Sequence, residues 1–287
     1  MSRRVGDLLS FARSELRKAS FEPSPREALL LLSRAIQAPE AQLLAYPERL
    51  PTRVEEARFT DLLTRRLRGE PVAYLLNEKE FWRRPFFVDG RVLVPRPETE
   101  HLIETVLSLD LPSEPRVLDI GTGSGCIAVT LALEVQQARV VATDVSLAAL
   151  QVARRNALRH GCEVRLVRCD LGGSLRLEEF DVIACNPPYI AEVDRHRLSP
   201  EILDFEPHGA LFGGTSGLAA YEALLPQLAS LSRNASIVLE IGAGQASAVI
   251  SLAAASDLEM RQVVKDYAGH DRVVLLGRAP SPGSHLG

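Results

Sequence analysis

Asn186, Pro187, Pro188 and Tyr189 place a primary amide, two rings without a backbone N–H and an aromatic hydroxyl in four consecutive positions. Successive prolines remove two donors and hold the residues before them extended, so the segment offers carbonyl oxygens with few competing N–H groups. Such a corner accepts hydrogen bonds. A planar NH2 group can give one hydrogen to the Asn186 side-chain oxygen and the other to the Pro187 carbonyl, with Tyr189 as a flat wall beside it. The nitrogen of an amide or aromatic amine has its lone pair delocalised and is a poor nucleophile. Two acceptors that favour a pyramidal nitrogen stabilise the transition state of its attack more than the planar ground state. Holding it in line with an electrophilic carbon supplies about 7 kcal/mol or more of the barrier. No strong general base is needed, because the nitrogen becomes acidic once alkylated.

A second group of residues can hold the electrophile. Val117-Leu118-Asp119-Ile120 reads as a strand running into Gly121-Thr122-Gly123-Ser124-Gly125, with a helix starting near Cys126. Glycines let backbone approach a ligand closely, and a helix start presents unpaired N–H groups. Asp144 ends the next strand, where a carboxylate can accept two hydrogen bonds from ribose hydroxyls. A nucleoside-bearing cofactor is the reading these residues favour. A dinucleotide fingerprint would need glycine at position 126, which is Cys126, so a pyrophosphate fits poorly. S-adenosylmethionine fits better: it carries no phosphate, Asp119 could position its ammonium group, and Asp170 with Leu171 could receive its adenine.

The elements around these residues alternate between β-branched apolar runs and amphipathic helices from residue 96 onward, the pattern of a parallel sheet covered on both faces. Strands are expected at 116–120, 139–144, 163–169, 180–185, 235–241, 260–266 and 271–277. Only Tyr267-Ala268-Gly269-His270 separates the last two, which allows an antiparallel return and no crossover. The expected fold is therefore α/β: a doubly wound, Rossmann-like, seven-stranded and mostly parallel sheet of the class I methyltransferases, with strand 180–185 beside strand 116–120. Residues 1–75 read as helices only, with capping boxes at Ser24-Pro25-Arg26-Glu27 and Thr52-Arg53-Val54-Glu55. Ala28, Leu29, Leu32 and Ile36, then Phe59, Leu62, Leu63 and Leu67, give each helix an apolar stripe. Residues 76–95 read as a connecting β-hairpin turning at Asp89-Gly90. The methyltransferase domain is expected over 96–280, followed by a disordered tail at 281–287.

Composition narrows the classes. With 46% hydrophobic and 24% charged residues among 287, and no apolar run near the roughly 20 residues of a membrane span, neither disorder nor membrane insertion is expected. A net charge of −4 argues against a protein that coats phosphate backbones. The N-terminus has no apolar core of a signal peptide, so a cytoplasmic protein is expected. Cys126, Cys162, Cys169 and Cys185 contain no CxxC pair and read as reduced structural thiols, and the six histidines show no ligand spacing, so no metal is expected. His101 and His160 are expected on helix surfaces, and His270 in the loop between the last strands.

Five segments together resemble one family. Arg91-Val92-Leu93-Val94-Pro95-Arg96-Pro97-Glu98-Thr99-Glu100, Asp119 to Gly125, Asn186 to Tyr189, Phe205-Glu206-Pro207 and Asp266 to Arg272 look like the release factor glutamine methyltransferases. Asn-Pro-Pro-Tyr is shared with DNA and RNA amino-group methyltransferases; the Pro-Arg-Pro-Glu-Thr-Glu run singles out this family. The resemblance implies transfer from S-adenosylmethionine, leaving S-adenosylhomocysteine, to the glutamine amide nitrogen in the Gly-Gly-Gln loop of class 1 peptide chain release factors. It implies donor binding by Asp119, Gly121, Thr122, Gly123, Ser124, Gly125, Asp144, Asp170, Leu171 and Asn186. The glutamine falls to Asn186, Pro187, Pro188 and Tyr189, and Arg96 and Glu98 to either the substrate entrance or a structural ion pair. The helical domain would dock the release factor body. A monomer with no stable nucleic-acid partner is expected. Two departures are visible: Asn77 stands where the family often has glycine, and Leu171 where some relatives have an aromatic residue. The rival is an amino methyltransferase of adenine or guanine, which would need a basic, aromatic-bearing domain to grip a flipped base. The N-terminal part is nearly neutral and poor in aromatics.

Overall fold

The computed structural model describes residues 3–19, 21, 23–173 and 175–279. The chain divides into two compact units, Met1–Lys79 with Arg197–Glu206, and Glu80–His196 with Pro207–Gly287. The segment Arg197–Glu206, expected inside the methyltransferase domain, therefore groups with the helical unit. The expected tail at 281–287 lies outside the described residues.

The helical unit contains α1 (Val5–Leu16), α2 (Glu27–Ile36), α3 (Glu40–Ala45), α4 (Arg53–Leu67), α5 (Val72–Leu76) and a later helix within 197–206. Thr52 and Glu55 form the expected reciprocal box, Glu55 N–H donating to Thr52 Oγ1 at 3.2 Å and Thr52 N–H to the Glu55 carboxylate at 2.6 Å. The box at Ser24 forms by half. Glu27 accepts from Ser24 N–H at 2.9 Å, and the helix starts at Glu27, two residues after Pro25. Ala28, Leu29, Leu32 and Ile36 are buried, as are Phe59 and Leu63, whereas Leu67 at the end of α4 is exposed, against expectation. Asn77 closes α5 in the left-handed region at φ 54°, a conformation an asparagine tolerates where other side chains rarely do. Beneath these helices Arg66, 1% exposed, pairs with Glu27 at 2.7 Å and Glu201 at 2.5 Å.

Next come β1 (Lys79–Phe81) and β2 (Arg84–Phe86), a hairpin whose turn is Trp82-Arg83 and not Asp89-Gly90. Both turn residues have positive φ, 50° and 57°, and Trp82 N–H donates to Glu100 at 2.7 Å, so a tertiary contact holds a turn that its own residues do not favour. Asp89-Gly90 turns a segment that is not strand, its geometry set by Arg91 N–H donating to Asp89 at 3.2 Å.

The sheet is built from β3 (Arg116–Ile120), β4 (Arg139–Asp144), β5 (Val164–Arg168), β6 (Val182–Cys185), β7 (Ser236–Glu240), β8 (Leu258–Lys265) and β9 (Asp271–Arg278). The order is β5-β4-β3-β6-β7-β9-β8, parallel except for β9, which pairs antiparallel with both β7 and β8. The seven expected strands are all present, with β8 beginning two residues early and β6 two residues late. Helices α6 (Glu100–Leu107), α7 (Cys126–Glu134) and α8 (Leu147–His160) follow in chain order, then α9 (Pro200–Phe205), the inserted helix of the other unit, and α10 (Ala219–Leu228) and α11 (Ala246–Ala254). Because strand side chains alternate, Leu118, Ile183, Ile237 and Leu276 bury against α10 and α11, while Val117, Val182, Val238 and Leu275 bury with α6 and α7. Each such side chain contributes about 1.5–3 kcal/mol by leaving water.

The chain leaves β3 toward β4 and returns on the other side at β6, so the order switches between β3 and β6. Open sheets bind ligands at the carboxyl ends of such a switch point. Ile120 pairs with both Thr143 and Cys185, and Cys185 with Leu239. Gly121, Asp144, Asn186 and Glu240 thus each follow a residue at one common level of the sheet.

Candidate active site

The glycine loop wraps the end of β3. Thr122 N–H donates to the Thr143 carbonyl at 2.8 Å, Gly123 N–H to Asp144 Oδ2 at 2.9 Å, and Gly125 N–H to the Thr122 carbonyl at 2.8 Å. Gly125 has φ 81°, and a Cβ there would meet Ala153 of α8 at 3.0 Å, so both the turn and the close helix packing require glycine. Asn156, buried on α8 and absent from the sequence reasoning, donates to the Ser124 and Phe87 carbonyls at 2.8 and 2.9 Å and accepts from Phe87 N–H at 2.7 Å. It ties the loop to the segment after the hairpin.

Asp119 is fully buried and accepts from the Thr122 hydroxyl at 2.6 Å and from Ala128 N–H, in the first turn of α7, at 3.1 Å, both on Oδ2. Its Oδ1 has no partner among the described residues. Burial, helped by the charge of Asp144, pushes its carboxyl up to about 7. A helix start already occupied by a carboxylate is a poor phosphate site, and an unpartnered buried carboxylate oxygen suits a cation. A donor with an ammonium group and no phosphate therefore fits this end of the loop. Asp144 also accepts from Ser146 N–H at 2.8 Å, leaving one further lone-pair site on each oxygen for hydroxyl donors. Leu171 stands half-buried at φ 49°, its carbonyl held by the Thr143 hydroxyl at 3.1 Å, while Asp170 is exposed just beyond β5.

On the other side of the switch point, Asn186 Nδ2 donates to Thr99 Oγ1 at 3.1 Å. The NH2 end of the amide is thereby committed, and Oδ1 is left to accept. Tyr189's phenol donates to Glu240 at 3.3 Å and is pushed up by burial and by the Glu240 charge, so it stays a neutral donor. The carbonyls after Pro187 are turned away from use. That of Tyr189 accepts from Gln245 Nε2 at 2.9 Å, and a Cβ at Gly213 would stand 2.5 Å from the Pro188 carbonyl, at Gly217 2.4 Å from the Tyr189 carbonyl. Among the described residues none donates to the Pro187 carbonyl. The corner thus presents two acceptors, the Asn186 side-chain oxygen and the Pro187 carbonyl.

Arg96 and Glu98 lie half-buried near this corner: the Arg96 charge bears on Tyr189, and the Glu98 charge on Glu240 and Arg272. His101, expected on the surface, is buried, its ring 4.9 Å from that of Tyr267. His160 packs on Phe86, and His270 is exposed. The four cysteines are free thiols, and burial pushes Cys126 up to about 12, so it is inert beside the loop. Thr99, Gln245, Gly213, Gly217, Glu240 and Asn156 were missed by sequence reasoning. Glu240 carried a signal, a carboxylate ending an otherwise apolar strand, and Gly213-Gly214-Thr215-Ser216-Gly217 carried another in its glycines.

A methyltransferase from Pyrococcus furiosus shares the fold, with a TM-score of 0.53 at 20% identity over 76% of this chain and 98% of its own. Residues 98–205 match the Methyltransferase small domain. Sheet order, glycine loop and acceptor corner thus define an open α/β, class I methyltransferase. Residues 7–76 match the PrmC N-terminal domain. The chain is 43% identical to a release factor glutamine methyltransferase of Koribacter versatilis over 92% of this chain and 95% of that relative. It is 40% identical to one of Nitratidesulfovibrio vulgaris over 94% of each. The chain belongs to the release factor glutamine methyltransferase family.

Proposed function

We propose that the chain methylates the side-chain amide nitrogen of the glutamine in the Gly-Gly-Gln loop of class 1 peptide chain release factors, using S-adenosylmethionine. One observation carries the reading: Asn186 has its NH2 end committed to Thr99, so its oxygen and the Pro187 carbonyl form a pair of acceptors matched to the two hydrogens of a carboxamide. Asp119, Gly121 to Gly125, Asp144 and the Asp170-Leu171 corner would hold the donor, and bound there it supplies a methyl group activated by a sulfonium. Asn186 and Pro187 draw the amide hydrogens out of plane, and Tyr189 confines the carboxamide against the site. Arg96 and Glu98 border the entrance. No helix among the described residues is long and apolar enough to cross a membrane. A release factor as substrate places the work in the cytoplasm, with this chain acting as a monomer.

The test is mass spectrometry of a release factor after incubation with labelled donor. Label on the Gly-Gly-Gln peptide is expected. Its absence there with label on RNA or DNA instead would overturn the reading in favour of a nucleobase amino group.

A further inference from the structure

Two buried side chains remote in sequence from the Asn186–Tyr189 corner bear on which way the Asn186 amide faces. Glu240 ends β7 at 0% exposure; its Oε1 takes the Tyr189 phenol at 3.3 Å, and its Oε2 has no partner among the described residues. Thr99, 2% exposed, lies beside the same carboxylate, where its hydroxyl favours the charged form, and receives Asn186 Nδ2 at 3.1 Å. A hydroxyl has one proton and two lone pairs. Because Thr99 already accepts from Asn186, its own proton is free to turn to the unused Glu240 oxygen; so turned, the Thr99 oxygen can only accept, and only the NH2 end of the amide can serve. The two ends of a primary amide are nearly isosteric, so shape alone does not choose between them. Were the Thr99 proton turned to Asn186 instead, the amide would rotate and present donors to a substrate NH2 that is itself a donor.

We propose that Glu240 and Thr99 are positioning residues for methyl transfer, a carboxylate–hydroxyl relay that locks the Asn186 carboxamide with its oxygen toward the acceptor nitrogen. The proposal rests on the reading of Asn186 as the acceptor of the glutamine N–H. A purely structural role does not account for the carboxylate. Removing a charge from water costs several kcal/mol, and an apolar residue or an amide would fill the place more cheaply. Glu240 faces Tyr189, Thr99, Tyr221 and the charges of Arg272 and Glu98, and one of its oxygens is left unused.

Thr99→Val keeps the shape and removes the hydroxyl; Thr99→Ser keeps the hydroxyl. In the full chain, Thr99→Val is expected to lower kcat on a release factor about 10- to 100-fold, with KM and the donor Kd within about threefold, and Thr99→Ser to restore kcat. In an Asn186→Ala background the same substitution should cost less than about threefold more, because the group it orients is gone. Glu240→Gln, which preserves volume, should reproduce the kcat loss with donor binding intact. Wild-type kcat in Thr99→Val, no rescue by serine, or a full additive loss in the double variant would overturn this inference alone. A wild-type chain that places no label on the Gly-Gly-Gln peptide would overturn the underlying reading instead.

Discussion

The two sides of the switch point each bury a carboxylate, and both Asp119 and Glu240 are pushed up to about 7 chiefly by burial. Their surroundings differ. Asp119 has a hydroxyl and a backbone N–H on one oxygen, nothing on the other, and a second acid, Asp144, as the charged neighbour that raises it further. Glu240 has the hydroxyls of Thr99 and Tyr189 and the cation Arg272 to favour its charged form. The donor side is electrostatically incomplete and asks for a positive ligand, whereas the acceptor side carries its counter-charge within the protein and uses it to orient dipoles. Substitutions on the two sides should therefore separate binding from turnover.

Asn186→Ala gives the largest effect. Removing one of two acceptors that strengthen as nitrogen pyramidalises should lower kcat by about 10²–10³-fold, the range for one lost transition-state hydrogen bond. Donor Kd should move by less than about threefold in calorimetry; equal losses in both would mean that Asn186 serves the donor and erase the contrast. Asp144→Ala should show the reverse. Losing charge-assisted bonds to two hydroxyls, with Gly123 N–H released as well, should weaken donor binding about 10- to 100-fold, while kcat at saturating donor stays within a fewfold. A kcat loss as large as that of Asn186→Ala would show that the loop also sets the acceptor geometry.

These two sides were not equally legible beforehand. The donor half is contiguous: a glycine loop directly after one strand and an acid at the end of the next, all spaced by local geometry. The acceptor half is legible only at Asn186 to Tyr189. Its supports come from far along the chain, Thr99 at 87 residues from Asn186 and Glu240 and Gln245 at 51 and 56 from Tyr189. No local pattern announces such pairings, because sheet register creates them. The hairpin failed for a related reason. Asp-Gly is the better intrinsic turn, but Glu100 captures Trp82 N–H and the tertiary contact wins over propensity.

Gln245→Ala sharpens the acceptor side at smaller scale. Its amide donates to the Tyr189 carbonyl at 2.9 Å and the Gly217 carbonyl at 3.3 Å and accepts from Gly242 N–H at 2.9 Å, so truncation leaves one donor and two acceptors unpaired. At about 1–3 kcal/mol for each buried group left unsatisfied, thermal unfolding should fall by several degrees. The freed Tyr189 carbonyl would compete for the substrate NH2, with kcat down by about tenfold or less and donor Kd unchanged. Unchanged kcat with a lowered Tm would reduce Gln245 to a strut.

The smallest signal is a proton. Asp119 binds its proton more tightly folded, at about 7, than unfolded, near 3.8. The folded state therefore holds more proton than the unfolded one across that window, and stability falls as pH rises through it, by an order of 4 kcal/mol in total. A cation beside Oδ1 favours the charged form and pulls the carboxyl down. Donor binding must then release a proton wherever the free protein still holds it: close to one at pH 6, about half at pH 7, and little above pH 8. Affinity should rise with pH up to about 7 and then level off. Calorimetric titration of S-adenosylmethionine in buffers of different ionisation enthalpy reads that release directly, and Asp119→Asn should abolish it. Glu240 has a similar pKa but faces Arg272 in place of the ligand, so Glu240→Gln should leave the release intact. If instead Glu240→Gln removes the proton and Asp119→Asn does not, the incomplete charge lies on the acceptor side and the assignment of the two carboxylates is reversed.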